Sequence, residues 1–336
     1  MANNKLRKSI GIVIPVFNDW TSLDLLIGKL NQQAEQSAFD FYIFVIDDGS
    51  SESHEPHCLL EGRQALEDIQ LVRLSNNLGH QRAIAVGLVF ASRVEGLEAV
   101  VVMDADGEDR PDDVPRLLSA WGEDANLIVV AQRKKRSEDF VFKVFYALYK
   151  FTFHIMTGQR IDFGNFCLLP RASVRALTYN PAIWNNLAAA ITRSPIPRIE
   201  IPVARGARLA GKSRMNFQSL LLHGVSAMAV YVDYILLRIL IGSALLAGLA
   251  IIAILLVVGI RIGTNWAIPG WASFLVASFA IIFLQALLIS AIALFQLMSF
   301  RNVKTFVPAI DASSFIFEVR NNRISNRLSD TSKSPT

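Results

Sequence analysis

Asp104 and Asp106 close the run LEAVVVMDADGED, with Ala105 between them. Side chains two apart on an extended strand point the same way, so both carboxylates face one side. Two such groups repel unless a cation sits between them. A hard divalent ion bridging diphosphate oxygens is the usual reason for that arrangement. Glu108 follows two residues later. A structural ion pair with Arg110 is the plainer alternative. A second stretch, GARLAGKS at 206–213, matches the phosphate-binding loop of nucleotide triphosphatases: Gly206, four residues, Gly211, Lys212, Ser213. RIEIPVAR before it can be a strand and NFQSLLLHGVSAM after it a helix. Such a loop also needs a Mg-binding acid on a later strand of the same sheet. The chain soon becomes too apolar for that, so no further strand is expected downstream.

These residues need elements to carry them. The runs IGIVIPVF, FDFYIFVIDDGS, IQLVRLS, LEAVVVMDADG and NLIVVAQR read as buried strands. RAIAVGLVFASRV and PDDVPRLLSAW read as helices between them. Strands alternating with helices predict an α/β fold with a mostly parallel sheet covered on both faces. Ligands of such sheets bind beyond the carboxyl ends of the strands. The polar residues fall there: Asn18 and Asp19, Asp47 and Asp48, Asn77 and Gly79, then Asp104, Asp106 and Glu108, then Arg133. DDGS and NNLG taken alone are also ordinary turns.

The chain is 52% hydrophobic and 18% charged, and the apolar excess is concentrated near the C-terminus. Ile239 to Ile260 carries no charge over 22 residues. At about 1.5 Å per residue that run spans a bilayer core of about 30 Å. Trp271 to Phe300 is again uncharged. Two transmembrane helices, about 236–260 and 271–299, are expected, with Trp266 and Trp271 at the connecting turn. Arg238, Arg301 and Lys304 flank the pair, whereas the turn carries only Arg261. The positive-inside rule then places both termini in the cytoplasm of a multi-pass protein of the inner (plasma) membrane. MANNKLRKSIGIVIPVF is interrupted by Pro15 and reads as a first strand rather than a signal peptide. Cys58 and Cys167 suit a reducing compartment and suggest no metal cluster. The net charge of +4 fits an anionic leaflet and is too small to argue for nucleic acid.

Ser137 to Met156, SEDFVFKVFYALYKFTFHIM, opens on helix-starting residues. It repeats Val141, Val144, Phe145, Leu148, Phe151 and Ile155 at helical spacing, with Lys143, Lys150 and His154 on another face. With Arg133-Lys134-Lys135-Arg136 ahead of it, the segment (about 137–157) reads as a helix lying in the membrane interface. A core amphipathic helix is the plainer alternative. The expected organisation is a catalytic domain over 1–217, a juxtamembrane helix and two spans over 218–300, and a cytoplasmic tail over 301–336.

IPVFND, VIDDGS, NNLGHQRAIAVGL, VVMDADGEDRPDDVP, AQRKKR, DFGNFCLLPR and RLAGKSRMNF occur in that order. Together they resemble the inverting, family 2 nucleotide-sugar glycosyltransferases of the GT-A (Rossmann-like) fold. The nearest branch is the dolichol-phosphate mannose synthase-like polyprenyl-phosphate glycosyltransferases, including bacterial bactoprenol glucosyltransferases. The resemblance implies that Pro15, Phe17, Asn18, Asp19, Asp47, Asp48, Asn77, Gly79, Asp104 and Ala105 hold the nucleotide sugar. It implies Mg2+ or Mn2+ at Asp106 and Glu108; Glu108 stands where that family commonly has glutamine. It makes Asp104, Asp106, Arg133 and Asp162 the catalytic candidates, with Asn165 where an acid is common. In this light Arg205, Arg208, Lys212 and Arg214 form a cationic loop able to hold a phosphate beside the bilayer.

The expected reaction moves a sugar from a nucleotide diphosphate sugar, with UDP-glucose favoured, to a polyprenyl phosphate for cell-envelope glycan modification. A phosphate monoester with a second pKa of about 6 is largely dianionic at neutral pH and needs no strong general base. Arg133, Arg136, Lys143, Arg208, Lys212 and Ser213 are the candidates to hold the acceptor phosphate. A processive polysaccharide synthase would carry a Gln-x-x-Arg-Trp element, and no tryptophan here follows an arginine. A P-loop NTPase and a non-catalytic membrane scaffold are rival functions for the same chain. Sugar identity, lipid chain length and homo-oligomerisation stay open.

Overall fold

A computed structural model of the chain describes residues 7–51, 63–133, 150–160, 162–211, 224–264 and 270–321. The apolar runs become strands where expected. β1 (Lys8–Val16) leads through α1 (Trp20–Gln36) to β2 (Phe39–Asp47), and β3 (Asp68–Leu74) leads into α2 (His80–Ser92). β4 (Leu97–Val102), α3 (Val114–Trp121) and β5 (Ile128–Arg133) follow. β6 (Cys167–Pro170), α4 (Arg171–Thr178), α5 (Leu187–Arg193) and β7 (Arg198–Val203) complete the run before the apolar helices.

Both faces of the central strands are buried, which explains their unbroken apolar character. Ile10, Ile12, Ile14 and Val16 of β1 enter one core with α1 and α3, while Val13 enters the other with α2 and α5. The alternation is the two-residue period of a strand.

The sheet has the order β7-β5-β6-β4-β1-β2-β3-β8. β1 is parallel to both β2 and β4, and β5 is parallel to β7. β6 runs antiparallel to β4 and β5. This is the mixed α/β sheet of a GT-A-like domain. The chain leaves β1 for β2 on one side and later places β4 on the other, so a crevice opens at the carboxyl ends of β1 and β4.

The last strand corrects the expectation that none follows the apolar helices. β8 (Ile316–Asn321) pairs antiparallel with β3 at the sheet edge, with Val72 opposite Val319. Part of the segment expected to be a tail, Ile316–Asn321, is therefore sheet. Phe306 and Phe315 pack around Trp184, with ring centroids 4.2 and 5.5 Å from it.

A second compact unit comprises residues 144–160 and 231–305. Its described part holds α6 (Val232–Gly263) and α7 (Trp271–Asn302), whose mean hydropathies of 2.8 and 2.5 make them candidate membrane spans. Ser243 and Ser290 hydrogen-bond across the pair at 2.7 Å. Of the expected interface helix, residues 137–149 lie outside the described residues, and residues 150–157 are helical. Phe153 is buried and meets Tyr231 edge-on at 5.8 Å, while Phe151 and Ile155 are exposed. Arg238 of α6 donates to the Ile155 carbonyl.

Candidate active site

Three turns at the carboxyl ends of β1, β2 and β3 lock together. Asn18 takes a left-handed conformation, φ 50°. Its backbone N–H donates to Ser50 Oγ at 2.9 Å, and its side-chain oxygen accepts from the Ser51 N–H at 3.0 Å. Asp47 accepts from the Ser50 N–H at 2.8 Å. Asp48 takes the N–H groups of Leu78 and Gly79, one on each carboxylate oxygen, at 2.7 and 2.9 Å. Gly49 is required where the turns touch: its φ is +70°, and a Cβ would stand 2.8 Å from the Asn76 backbone. Burial pushes the Asp48 carboxyl up to about 6, against the pull of those two N–H groups. Pro15 is buried at the end of β1, whereas Phe17 and Asn77 are exposed. Asp47 and Asp48 thus organise the turns that carry Asn77 and Gly79 and that meet Asn18.

Beyond β4 the carboxylates meet arginines. Arg208 donates to Asp19 and lies 3.0 Å from Asp106 Oδ2. Arg205 reaches Glu108 through Nη2 at 2.5 Å and Nε at 2.9 Å. Arg133, ending β5, reaches Asp109 at 2.5 Å, Glu108 at 3.5 Å and Asp104 at 3.9 Å. The counter-ions of the acidic loop are therefore these three arginines. Arg110, the alternative partner, pairs with Asp112 instead. Asp109 also accepts the Asp104 N–H at 2.9 Å and so fixes the turn.

Burial raises Asp106 above the usual carboxylate range, and the neighbouring charges of Asp104 and Glu108 add to it. The Glu108 N–H and Arg208 act in the opposite sense. Burial lowers the Arg133 guanidinium, but the charges of Asp109, Asp104 and Glu108 outweigh it and leave it firmly protonated.

The described part of the GARLAGKS stretch, Gly206 to Gly211, packs against the acidic loop. The Gly206 N–H donates to the Glu108 carbonyl at 2.8 Å, and the Leu209 N–H to the Asp106 carbonyl at 2.9 Å. A Cβ on Gly206 would stand 2.3 Å from the Gly107 carbonyl oxygen, so glycine here serves close packing. β7, leading into the loop, is an edge strand, and β8 with Glu318 lies at the opposite edge. Two N–H groups of the loop are thus already used. Among the described residues no later strand beside β7 brings the acid that a nucleotide triphosphatase requires.

His80, Gln81 and Asp109 escaped the sequence reasoning. His80 Nε2 lies 3.2 Å from Asp104 Oδ1 and 3.0 Å from Asn165 Nδ2. Burial lowers the imidazole, and the charges of Asp104, Asp109 and Asp48 more than reverse this, so it stands above its ordinary value. The only signal was the histidine that follows NNLG at a helix start. Asp162 is exposed on the stretch ahead of β6. Arg136, Lys143, Lys212 and Ser213 lie outside the described residues.

Asp106 and Glu108 offer hard oxygen donors. Among the described residues no group of three or more His, Cys, Asp or Glu side chains could hold an ion unaided. Mg2+ is typically held by one or two carboxylates with substrate phosphates completing its shell. Among the described residues the carboxylates of Asp19, Asp104, Asp106, Glu108 and Asp109 face the guanidiniums of Arg133, Arg205 and Arg208 and the imidazole of His80. The donor set fits an ion shared with a diphosphate.

Residues 11–175 match the family model described as Glycosyl transferase family 2. The match takes in β1 through β6 and every carboxylate of the crevice. Among solved structures, mannosyl-3-phosphoglycerate synthase from Rubrobacter xylanophilus is 15% identical. That alignment covers 66% of this chain and 72% of the other, with a TM-score of 0.47. Glucosyl-3-phosphoglycerate synthase from Mycobacterium tuberculosis, in complex with Mn2+, UDP-glucose and phosphoglyceric acid, is 14% identical. It aligns over 68% of this chain and 80% of its own, with a TM-score of 0.48. The same enzyme with Mg2+ and UDP gives 14%, 68%, 79% and 0.45.

Proposed function

We propose that the chain transfers a sugar from a nucleoside diphosphate sugar, UDP-glucose being the favoured donor, to a polyprenyl phosphate at the cytoplasmic face of a membrane, with inversion at the anomeric carbon. One conjunction carries this: a family 2 domain with a carboxylate–arginine crevice shares its chain with two helices long and apolar enough to cross a bilayer. A lipid acceptor accounts for that pairing, because its phosphate sits at headgroup height while its tail stays in the bilayer.

Pro15 to Asp19, Asp48 and the Leu78–Gly79 turn would frame the nucleoside, with Asp104 and Ala105 beside it. Asp106 and Glu108 would hold Mg2+ or Mn2+, which supplies positive charge to the departing diphosphate. Arg208 and Arg205, now paired with acids, are the cations within reach of incoming phosphates, and a bidentate guanidinium suits them. Arg133 keeps Asp109, and through it the turn at Asp104, in place. The acceptor needs orientation rather than deprotonation, since its oxygen is already anionic.

The test adds a panel of labelled UDP-glucose, UDP-galactose, UDP-GlcNAc and GDP-mannose to membranes containing the protein, with a water-soluble 3-phosphoglycerate arm. Label in an organic-extractable, acid-labile lipid is expected. Transfer to phosphoglycerate alone, or ATP hydrolysis that depends on Lys212, overturns the proposal.

A further inference from the structure

Gln285 places an amide at the middle of the apolar span Trp271–Phe300. It is exposed on α7, and among the described residues its side chain has no hydrogen-bond partner. The hydroxyls of the same helix pair are provided for. Ser278 donates to the Phe274 carbonyl and Ser290 to the Ala286 carbonyl, each at 2.9 Å. That leaves the Ser290 oxygen to accept from Ser243 of α6. Ala286 and Ala293 are buried beside Ser290, so this side of α7 is the one turned to α6. Gln285 stands about 100° around the helix from Ala286. Ile281, Leu288, Ile289 and Ile292, within about two turns of it on its own face, are exposed as well.

In a bilayer that position demands a partner. The centre of the hydrocarbon core lies about 15 Å from the headgroups, farther than a glutamine side chain can reach. An amide left unbonded in hydrocarbon is strongly disfavoured. Acyl and polyprenyl chains offer neither donor nor acceptor there, so lipid cannot meet it, whereas a second helix can.

Copies of one chain inserted in one direction carry Gln285 at the same depth. Around a twofold axis along the membrane normal the two amides meet without any change of register. Each has a carbonyl to accept and an NH2 to donate, so the pair satisfies itself. An unrelated span would have to carry a polar group at the matching depth. Gln296, also exposed, falls on the same face about three turns and about 16 Å further along. In a parallel copy its counterpart stands opposite it in the same way.

We propose that the face of α7 carrying Gln285 binds a second copy of this chain within the membrane, through a reciprocal pair of Gln285 amides. The proposal rests on the membrane-spanning part of the reading above and not on the choice of donor or acceptor.

The test uses full-length protein, its cysteines replaced, reconstituted in vesicles over a range of dilutions in lipid. Subunit number is read by photobleaching of single molecules. The parent protein is expected to pass from monomer to dimer as it is concentrated. An interhelical amide contact corresponds to about tenfold in association. Gln285→Leu, which suits lipid better than glutamine does, is expected to shift the midpoint about tenfold towards the monomer. Gln285→Asn keeps an amide and recovers most of the loss. Under oxidation Gln285→Cys is expected to form a disulfide between copies. Leu287→Cys, exposed about 200° around the helix, should form far less. Protein that stays monomeric at every dilution, an unchanged midpoint in Gln285→Leu, or equal cross-linking from the two positions overturns the proposal. Protein that alkaline carbonate strips from the vesicles overturns the membrane-spanning reading and this proposal with it.

Discussion

Arg208 Nη1 lies 3.0 Å from Asp106 Oδ2, across 102 residues of sequence. The same guanidinium donates to Asp19. One side chain on the loop after β7 therefore ties the end of β1 to the end of β4, the two strands that flank the crevice.

Asp106→Asn is expected to reduce transfer at least 100-fold, the usual scale for removing one preorganised electrostatic contact. Folding and membrane association remain, since Asp106 stands in a turn whose backbone bonds to Leu209 persist. Turnover is measured in saturating Mg2+ or Mn2+; near wild-type rates refute the assignment of Asp106 as a metal-holding carboxylate.

The Asp48 carboxyl, pushed up by burial to about 6, predicts a pH dependence. Its folded value lies above the ordinary carboxylate range, so the folded chain holds this proton when the unfolded chain has lost it. Its contribution to stability is therefore greatest at acid pH and falls as pH rises towards about 6. Function runs the other way. Only the ionised group offers an oxygen to each of the Leu78 and Gly79 N–H groups, so donor KM is expected to rise as pH drops below about 6. Asp48→Asn turns a donor towards one of those N–H groups and should be impaired at every pH, without the acid limb. Persistence of that limb in Asp48→Asn assigns it to another group.

β8 makes the residues after the spans part of the sheet. Truncation after Thr305, which keeps both spans, uncovers the edge of β3 and the rings around Trp184. The thermal midpoint followed by tryptophan fluorescence is expected to drop. The milder Phe315→Ala removes one partly buried ring and costs about 1–3 kcal/mol, below the range for a fully buried phenylalanine. An unchanged midpoint in the truncated protein means that β8 contributes no stability to the sheet.

The fold was legible because strands buried on both faces leave unbroken apolar runs, as in IGIVIPVF and FDFYIFVID. β8 was not, because an edge strand such as IFEVRN is half polar and its pairing with β3 spans more than 240 residues. In the crevice, the spacing of Asp104 and Asp106 pointed to chemistry. The pairing of Arg208 with Asp19 and of His80 with Asn165 arises only from tertiary packing, and no local pattern encodes it. GARLAGKS shows the converse: Gly206 fits a motif by letter, while its geometry answers to the carbonyl of Gly107.

Helical residues 150–157 make the proposed membrane location testable. Phe151 and Ile155 are 63% and 49% exposed, while Phe153 is 4% exposed against Tyr231. Arg238 donates to the Ile155 carbonyl at the carboxyl end of this helix, where a cation also complements the helix dipole. A helix fixed to α6 with Phe151 and Ile155 outward is suited to lie at the boundary between headgroups and acyl chains, about 5–10 Å deep. In full-length protein whose cysteines are replaced, a fluorophore on Cys introduced at 151 is expected to be quenched best by nitroxide lipids labelled near the headgroup. One at Leu249, exposed on α6, is expected to be quenched best by lipids labelled near the bilayer centre. Arg238→Gln frees the carboxyl end of the helix and should broaden the depth profile at 151 while leaving that at 249 unchanged. A label at 151 that no nitroxide lipid quenches places this apolar face away from the bilayer, and the acceptor phosphate must then reach the crevice by another surface.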